Sequence, residues 1–162
     1  MSIPELLTWL EGHFAFVPES MWGFPILVTI HLLGISLSVG TLVWFDLRLL
    51  GVSMTRCRVS EVYRRLAPWT LGGFLVMFTT GGILFSGFAT RAYGNTYFRL
   101  KMAAIILAGV NALVFHFVTE RGSARWDDAE TPPLAARMAG LVSILLWAGV
   151  IFSGRMMSYT MF

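Results

Sequence analysis

The sequence predicts an all-α, polytopic membrane protein: an up-and-down bundle of four transmembrane helices preceded by a short N-terminal interfacial helix. Three observations carry that expectation. Of 162 residues, 56% are hydrophobic and only 13% charged, whereas soluble domains hold roughly a quarter charged residues. The apolar residues gather in four long runs, each near the roughly 20 residues that cross about 30 Å of hydrocarbon. The short alternating segments that would mark a membrane β-barrel do not occur in the sequence.

The elements follow in order. Residues 1–12 carry Glu5 and Glu11 where a signal peptide would have a basic region, and no small-residue cleavage site precedes the first apolar run. Ile3, Leu6, Leu7 and Leu10 recur at helical spacing beside Trp9, which predicts a helix lying on the membrane surface before Pro18 turns the chain inward. The four spans are expected at about 22–45, 66–89, 101–118 and 134–154, the first ending at Asp46-Leu47-Arg48. The connections hold the expected breakers and polar residues, as in Gly94-Asn95 and 120–133. Together these make one membrane domain, 1–162, with no room for a soluble catalytic domain.

Charge gives the expected direction. Arg48, Arg56, Arg58, Arg64, Arg65, Arg121, Arg125 and Arg137 lie on the side of the first and third loops, against Arg91, Arg99, Lys101 and Arg155 on the other. Positive charge collects on the cytoplasmic face, so both termini are expected outside, periplasmic for a protein of a bacterial inner membrane. The net charge of +3 is too small to suggest nucleic acid as a partner. The single cysteine, Cys57, excludes an intrachain disulfide and any cysteine metal motif.

Two histidines stand inside apolar runs: His31 in the first span and His116 in the third. An ionisable group at membrane depth is costly and points to function by default. Each heads a stripe of small residues. Gly34 and Ser38 follow His31 at i+3 and i+7, while Ala112, Gly109 and Ala108 precede His116 at i−4, i−7 and i−8. Such stripes let helices approach closely. They also leave a slot for a flat macrocycle with histidines as axial ligands. Spans one and three run in the same direction, and their spacing puts His116 roughly 10 Å deeper than His31. If depth separates the pair, Met77 in span two is a candidate second ligand for iron on His31. Arg155 is a candidate partner for haem propionates.

A second set lies towards the termini: His13, His31, Met156 and Met157, with Met21 and Met161. Imidazole and thioether suit Cu(I). Asp46 is read either as an interfacial anchor or as a salt-bridge partner of Arg64 or Arg65, and Arg91 and Lys101 as snorkelling anchors. Asn111 is expected to hydrogen-bond between helices. No nucleophile–base pair, phosphate-binding glycine loop or carboxylate dyad is present, so a redox or binding subunit is expected rather than a stand-alone enzyme.

Residues 25–51, with His31-Leu32-Leu33-Gly34, Gly40 and Asp46-Leu47-Arg48-Leu49-Leu50-Gly51, resemble a family of small, functionally unassigned four-helix bacterial inner-membrane proteins. Residues 101–116, with Asn111 and Phe115-His116, follow the same pattern. In architecture the chain is more distantly similar to the copper-resistance D membrane proteins and to b-type cytochrome subunits, a resemblance that implies haem or copper handling. The expected function is a membrane electron-transfer subunit with haem b between helices one and three, held by His31 and His116. It would pass electrons between a periplasmic partner and the quinone pool. The alternatives are a copper-handling protein, for transport or sensing, and a cofactor-free structural subunit that joins a homo- or hetero-oligomer.

Overall fold

A hydrophobic run too long to fold back on itself must satisfy its backbone internally, and in lipid only a helix does so for a single segment. The computed structural model describes residues 2–119 and 126–161, and its regular structure is entirely helical. Helix α1 spans Ile3–His13, α2 Phe16–Glu19, α3 Gly23–Leu49, α4 Val59–Gly87, α5 Ala89–Gly94, α6 Thr96–Val114 and α7 Leu134–Met161. A π-helical turn, Phe115–Thr119, continues α6. Helices α3, α4, α6 with its π turn, and α7 are long and apolar enough to cross a bilayer. This is the predicted four-helix membrane bundle.

The helices outrun the spans that hydropathy marks. α3 runs through Asp46 and Arg48 to Leu49, α4 starts seven residues before the expected position 66, and α7 ends seven beyond 154. Hydropathy reports the lipid-facing stretch, whereas polar caps decide where a helix stops. Asn95 caps α6, its Oδ1 accepting from Tyr97 N at 2.9 Å and Phe98 N at 3.3 Å. At the far end of α3, Gly51 takes φ +73°, which closes a turn that L side chains rarely adopt. Pro68 lies within α4 without ending it.

The bundle is loosely cored, as a membrane domain can be. Only 11% of the most apolar window of the third span is buried within the protein. Leu32, Leu33, Leu75, Ile106 and Leu145 are exposed at mid-span, on surfaces that lipid covers. Helix α3 packs most extensively on α4 and also on α7, and α7 packs on α6. The four spans therefore form an arc in the order α4–α3–α7–α6. The tightest seam is α3 on α4: a Cβ on Gly73 would lie 2.5 Å from Ser38 N, and one on Gly34 3.0 Å from Met77 N.

The termini share one end of the bundle, and the α3–α4 and α6–α7 loops share the other. At the terminal end, α1 buries Leu7 and exposes Ile3, Leu6 and Trp9, the pattern expected of a surface-lying helix. Glu11 ties it to α5, accepting from Thr90 N at 2.9 Å and Thr90 Oγ1 at 2.8 Å. At the loop end, Arg48 is fully buried. Its Nε donates to Cys57 O at 2.8 Å and its Nη2 to Ala129 O at 3.0 Å, so one guanidinium holds both loops. Arg121 and Arg125, counted above towards the charge of this end, lie outside the described residues.

Asp127 completes the loop end. Its carboxylate accepts from Ser60 N and Ser60 Oγ, each at 2.7 Å, in the first turn of α4. Partial burial alone would raise its pKa, but the two Ser60 hydrogen bonds and the charges of Arg58 and Arg48 outweigh it and hold the carboxyl below its ordinary 3.8. A depressed carboxyl stabilises the fold fully above its unfolded value and loses that contribution as pH falls through its folded value. Asp127→Asn keeps an acceptor oxygen but loses the charge, and is therefore expected to cost up to about 1 kcal/mol at neutral pH. Melting temperatures of the purified proteins should differ at pH 7 and converge as pH falls through the depressed folded value; a gap that persists in acid would contradict the assignment.

Candidate functional site

The two histidines lie in different halves of the bundle. His31 sits towards the terminal end, its Nδ1 2.9 Å from Thr80 Oγ1 on α4. The ring fits because position 81 is glycine: a Cβ there would meet His31 Cε1 at 3.0 Å. His116 is on the π turn at the opposite end, next to Phe115, whose ring lies 5.9 Å from that of Phe45. Phe45 follows His31 by 14 residues on the same helix, an axial rise of about 20 Å. The separation is twice the depth difference read from the sequence. Axial ligands of one iron must face each other across a single atom, about 4 Å apart, so His31 and His116 do not form a common site.

The small stripe beside His31 is not a slot either. Gly34 and Ser38 are buried against the backbone of α4 at Gly73 and Met77, which fills the space a macrocycle would need. Met77 itself packs in the core with Val39, Ala104, Ala108, Trp147 and Val150. Lys101 departs from the anchoring expected of it. It is half-buried, its Nζ is 3.7 Å from the Cβ position of Gly154, and it interacts electrostatically with His31. Arg155 is exposed over the Tyr159 ring at 4.9 Å, its Nη2 donating to Tyr159 Oη at 3.2 Å. His13 hydrogen-bonds through Nδ1 to Trp9 O at 2.9 Å and packs on the Trp9 ring. Met156 and Met157 continue α7, half-buried. Among the described residues, no group of three or more His, Cys, Asp and Glu could hold a metal ion.

The stripe beside His116 has a different fate. Helices α4 and α6 are the two ends of the arc and approach closely near the terminal end, where Phe85 and Phe98 stack at 5.2 Å. Towards the loop end they diverge, leaving a cleft of about 580 Å³ between them with α3 and α7 as its floor. Gly109 and Ala112 line it, and a Cβ on Gly109 would meet nothing within 4 Å. Phe74 and Trp147, with ring centroids 5.1 Å apart, are among its aromatic lining, and His116 also faces into it. The π turn is part of this construction. One extra residue per turn rotates the side chains that follow, a local change frequent at functional sites.

The polar groups of the cleft are few. Asn111 lines it while its Nδ2 donates to Ala139 O at 2.9 Å, the interhelical bond expected of it. Asp46 is on the floor, 3% exposed, and Ser143 of α7 lies beside its carboxyl. The salt bridge expected with Arg64 or Arg65 does not form; Arg65 pairs with Glu61 at 2.7 Å, and Arg64 is exposed. Sequence reasoning therefore missed Asp46, Ser143 and Trp147 as cleft residues. One signal was present: an acidic side chain in the last turn of α3, the helix end where the macrodipole disfavours it.

Comparison with known proteins agrees with the unassigned character of the sequence pattern. A family model described as "Family of unknown function (DUF6644)" matches residues 16–160. No curated protein and no solved structure matches the chain.

Proposed function

The chain belongs to this family of unknown function, and for it we propose a membrane redox subunit that seats a lipid-dissolved quinone headgroup in the cleft between α4 and α6. The single observation that carries the reading is the cleft itself. Its volume of about 580 Å³ falls within the roughly 300–1,000 Å³ of small-molecule sites, which are mostly apolar with a few placed polar groups. It lies between two spans that do not pack along this stretch, so a ligand reaches it from the bilayer without crossing water. Aromatic walls suit a flat ring, and Asp46, Asn111, Ser143 and His116 supply polar contacts. The excess of arginine at the loop end supports an orientation with both termini on the outer side of a bacterial inner membrane.

A second reading keeps haem b. His116 faces the same cleft beside Gly109 and Ala112, so a porphyrin held there would take His116 as its ligand from this chain, without His31. One preparation separates the two. The protein is purified in mild detergent, its absorption spectrum recorded, and its bound lipids extracted and assayed for quinone. Quinone is expected, at up to one per chain, and to be lost in Gly109→Trp with little change in melting temperature, because position 109 opens on empty space. A haem absorption band abolished by His116→Ala would select the haem reading. Protein without quinone, and unable to bind an added short-chain benzoquinone or its hydroquinone, would overturn the proposal.

A further inference from the structure

Asp46 presents an atom that the protein leaves unsatisfied. Its Oδ2 is buried and has no hydrogen-bond partner, although an unpaired buried polar group is costly and nearly all such groups find partners. Ser143 of α7 lies beside the carboxyl, and α7 presses on the backbone of Asp46 at Gly140, where a Cβ would lie 3.0 Å from Asp46 O. The nearest arginine along α3, Arg48, turns its Nε and Nη2 to Cys57 O and Ala129 O, leaves its Nη1 without a partner among the described residues and makes no ion pair with Asp46. Asp46 lines the cleft, whose surface is otherwise mainly apolar.

An acceptor without a partner, on the floor of an apolar cavity, selects for a ligand that brings a donor. We propose that Asp46 is the specificity-determining residue of the cleft, its Oδ2 accepting a hydrogen bond from a ring hydroxyl, so that the site takes the hydroquinone form of its ligand. A neutral hydroxyl fits better than a cationic amine, because an ammonium group loses far more on leaving water for the hydrocarbon phase. This rests on the quinone reading of the cleft and adds to it a preference that an apolar cleft alone would not have.

The test compares a short-chain hydroquinone with its dimethyl ether, which has a similar ring but no donor. Binding to the full-length protein in detergent is measured anaerobically by calorimetry, with empty micelles as the blank. Wild type is expected to favour the hydroquinone by roughly 3- to 10-fold, the net worth of one hydrogen bond. The ratio should fall to near one in Asp46→Leu. It should also fall in Asp46→Val, which has no acceptor, is closer to aspartate in size and covers the case in which the leucine variant does not fold. Equal binding of both compounds by wild type would overturn the role of Asp46 while leaving the cleft reading intact, as would a preference that survives in Asp46→Val. Failure of wild type to bind either compound would overturn both.

Discussion

Gly73→Ala is expected to destabilise the protein more than any other single-methyl addition at its glycines. The new Cβ would stand 2.5 Å from Ser38 N and 2.9 Å from Ser38 Cα, closer than Cβ atoms come to other heavy atoms. The obstructing atoms are backbone, so no rotamer change relieves the contact, and α3 and α4 must separate along their tightest seam. Overpacking a dense interior usually costs about 1–3 kcal/mol, and a backbone clash belongs at the upper end. Separation would also loosen the Thr41–Thr70 hydroxyl contact at 2.8 Å and the His31–Thr80 contact. Gly72→Ala is the matched control, because a Cβ there meets nothing within 4 Å. The measurement is thermal unfolding of both variants in the same detergent. A melting temperature for Gly73→Ala equal to that of Gly72→Ala would show that the seam is not packed as described.

The second large effect is expected at Arg48. Arg48→Leu removes the donors to Cys57 O and Ala129 O together and leaves two loop carbonyls without the partner that joined them. Each carbonyl denied a partner costs about 1–3 kcal/mol if it stays buried, so a loss of roughly 3 kcal/mol is expected. Arg48→Lys should recover only part of it, because an ammonium on a flexible stem cannot reproduce the planar fork that reaches two acceptors at once. The loss has a location as well as a size. Limited proteolysis should cut the loops at the Cys57 end and the Ala129 end faster in Arg48→Leu, while the spans remain protected in the micelle. Unchanged cleavage in both loops would mean that the guanidinium is not what holds them.

Much of the architecture is legible in the chain because hydropathy is a local sum. Twenty consecutive apolar residues declare a span whatever they touch, and Leu134 is both the expected and the observed start of the last one. Asn111 was likewise readable, since an amide inside an apolar helix has few options besides a neighbouring backbone. The histidines were legible as anomalies but not as a pair. His31 is accounted for by Thr80 and by the missing side chain at Gly81, a relation between residues 49 and 50 positions away. The candidate site itself was the least legible part. Asp46 reads as the polar end of a span until α3 is seen to continue past it and Ser143 of α7 is seen beside it.

The sequence by itself determined that this is a four-span helical membrane protein with a surface-lying first helix, because apolar length and periodicity act within one segment. It also singled out the two stripes of small residues. Only the tertiary structure decided what each stripe does. Gly34 and Ser38 are consumed by contact with the backbone of α4, whereas Gly109 and Ala112 face a gap because α4 and α6 are the ends of an arc. A small side chain permits close approach but does not specify who approaches. In lipid, where apolar surface gains little by being covered, the partner is set by shape and a few hydrogen bonds spread across the whole chain.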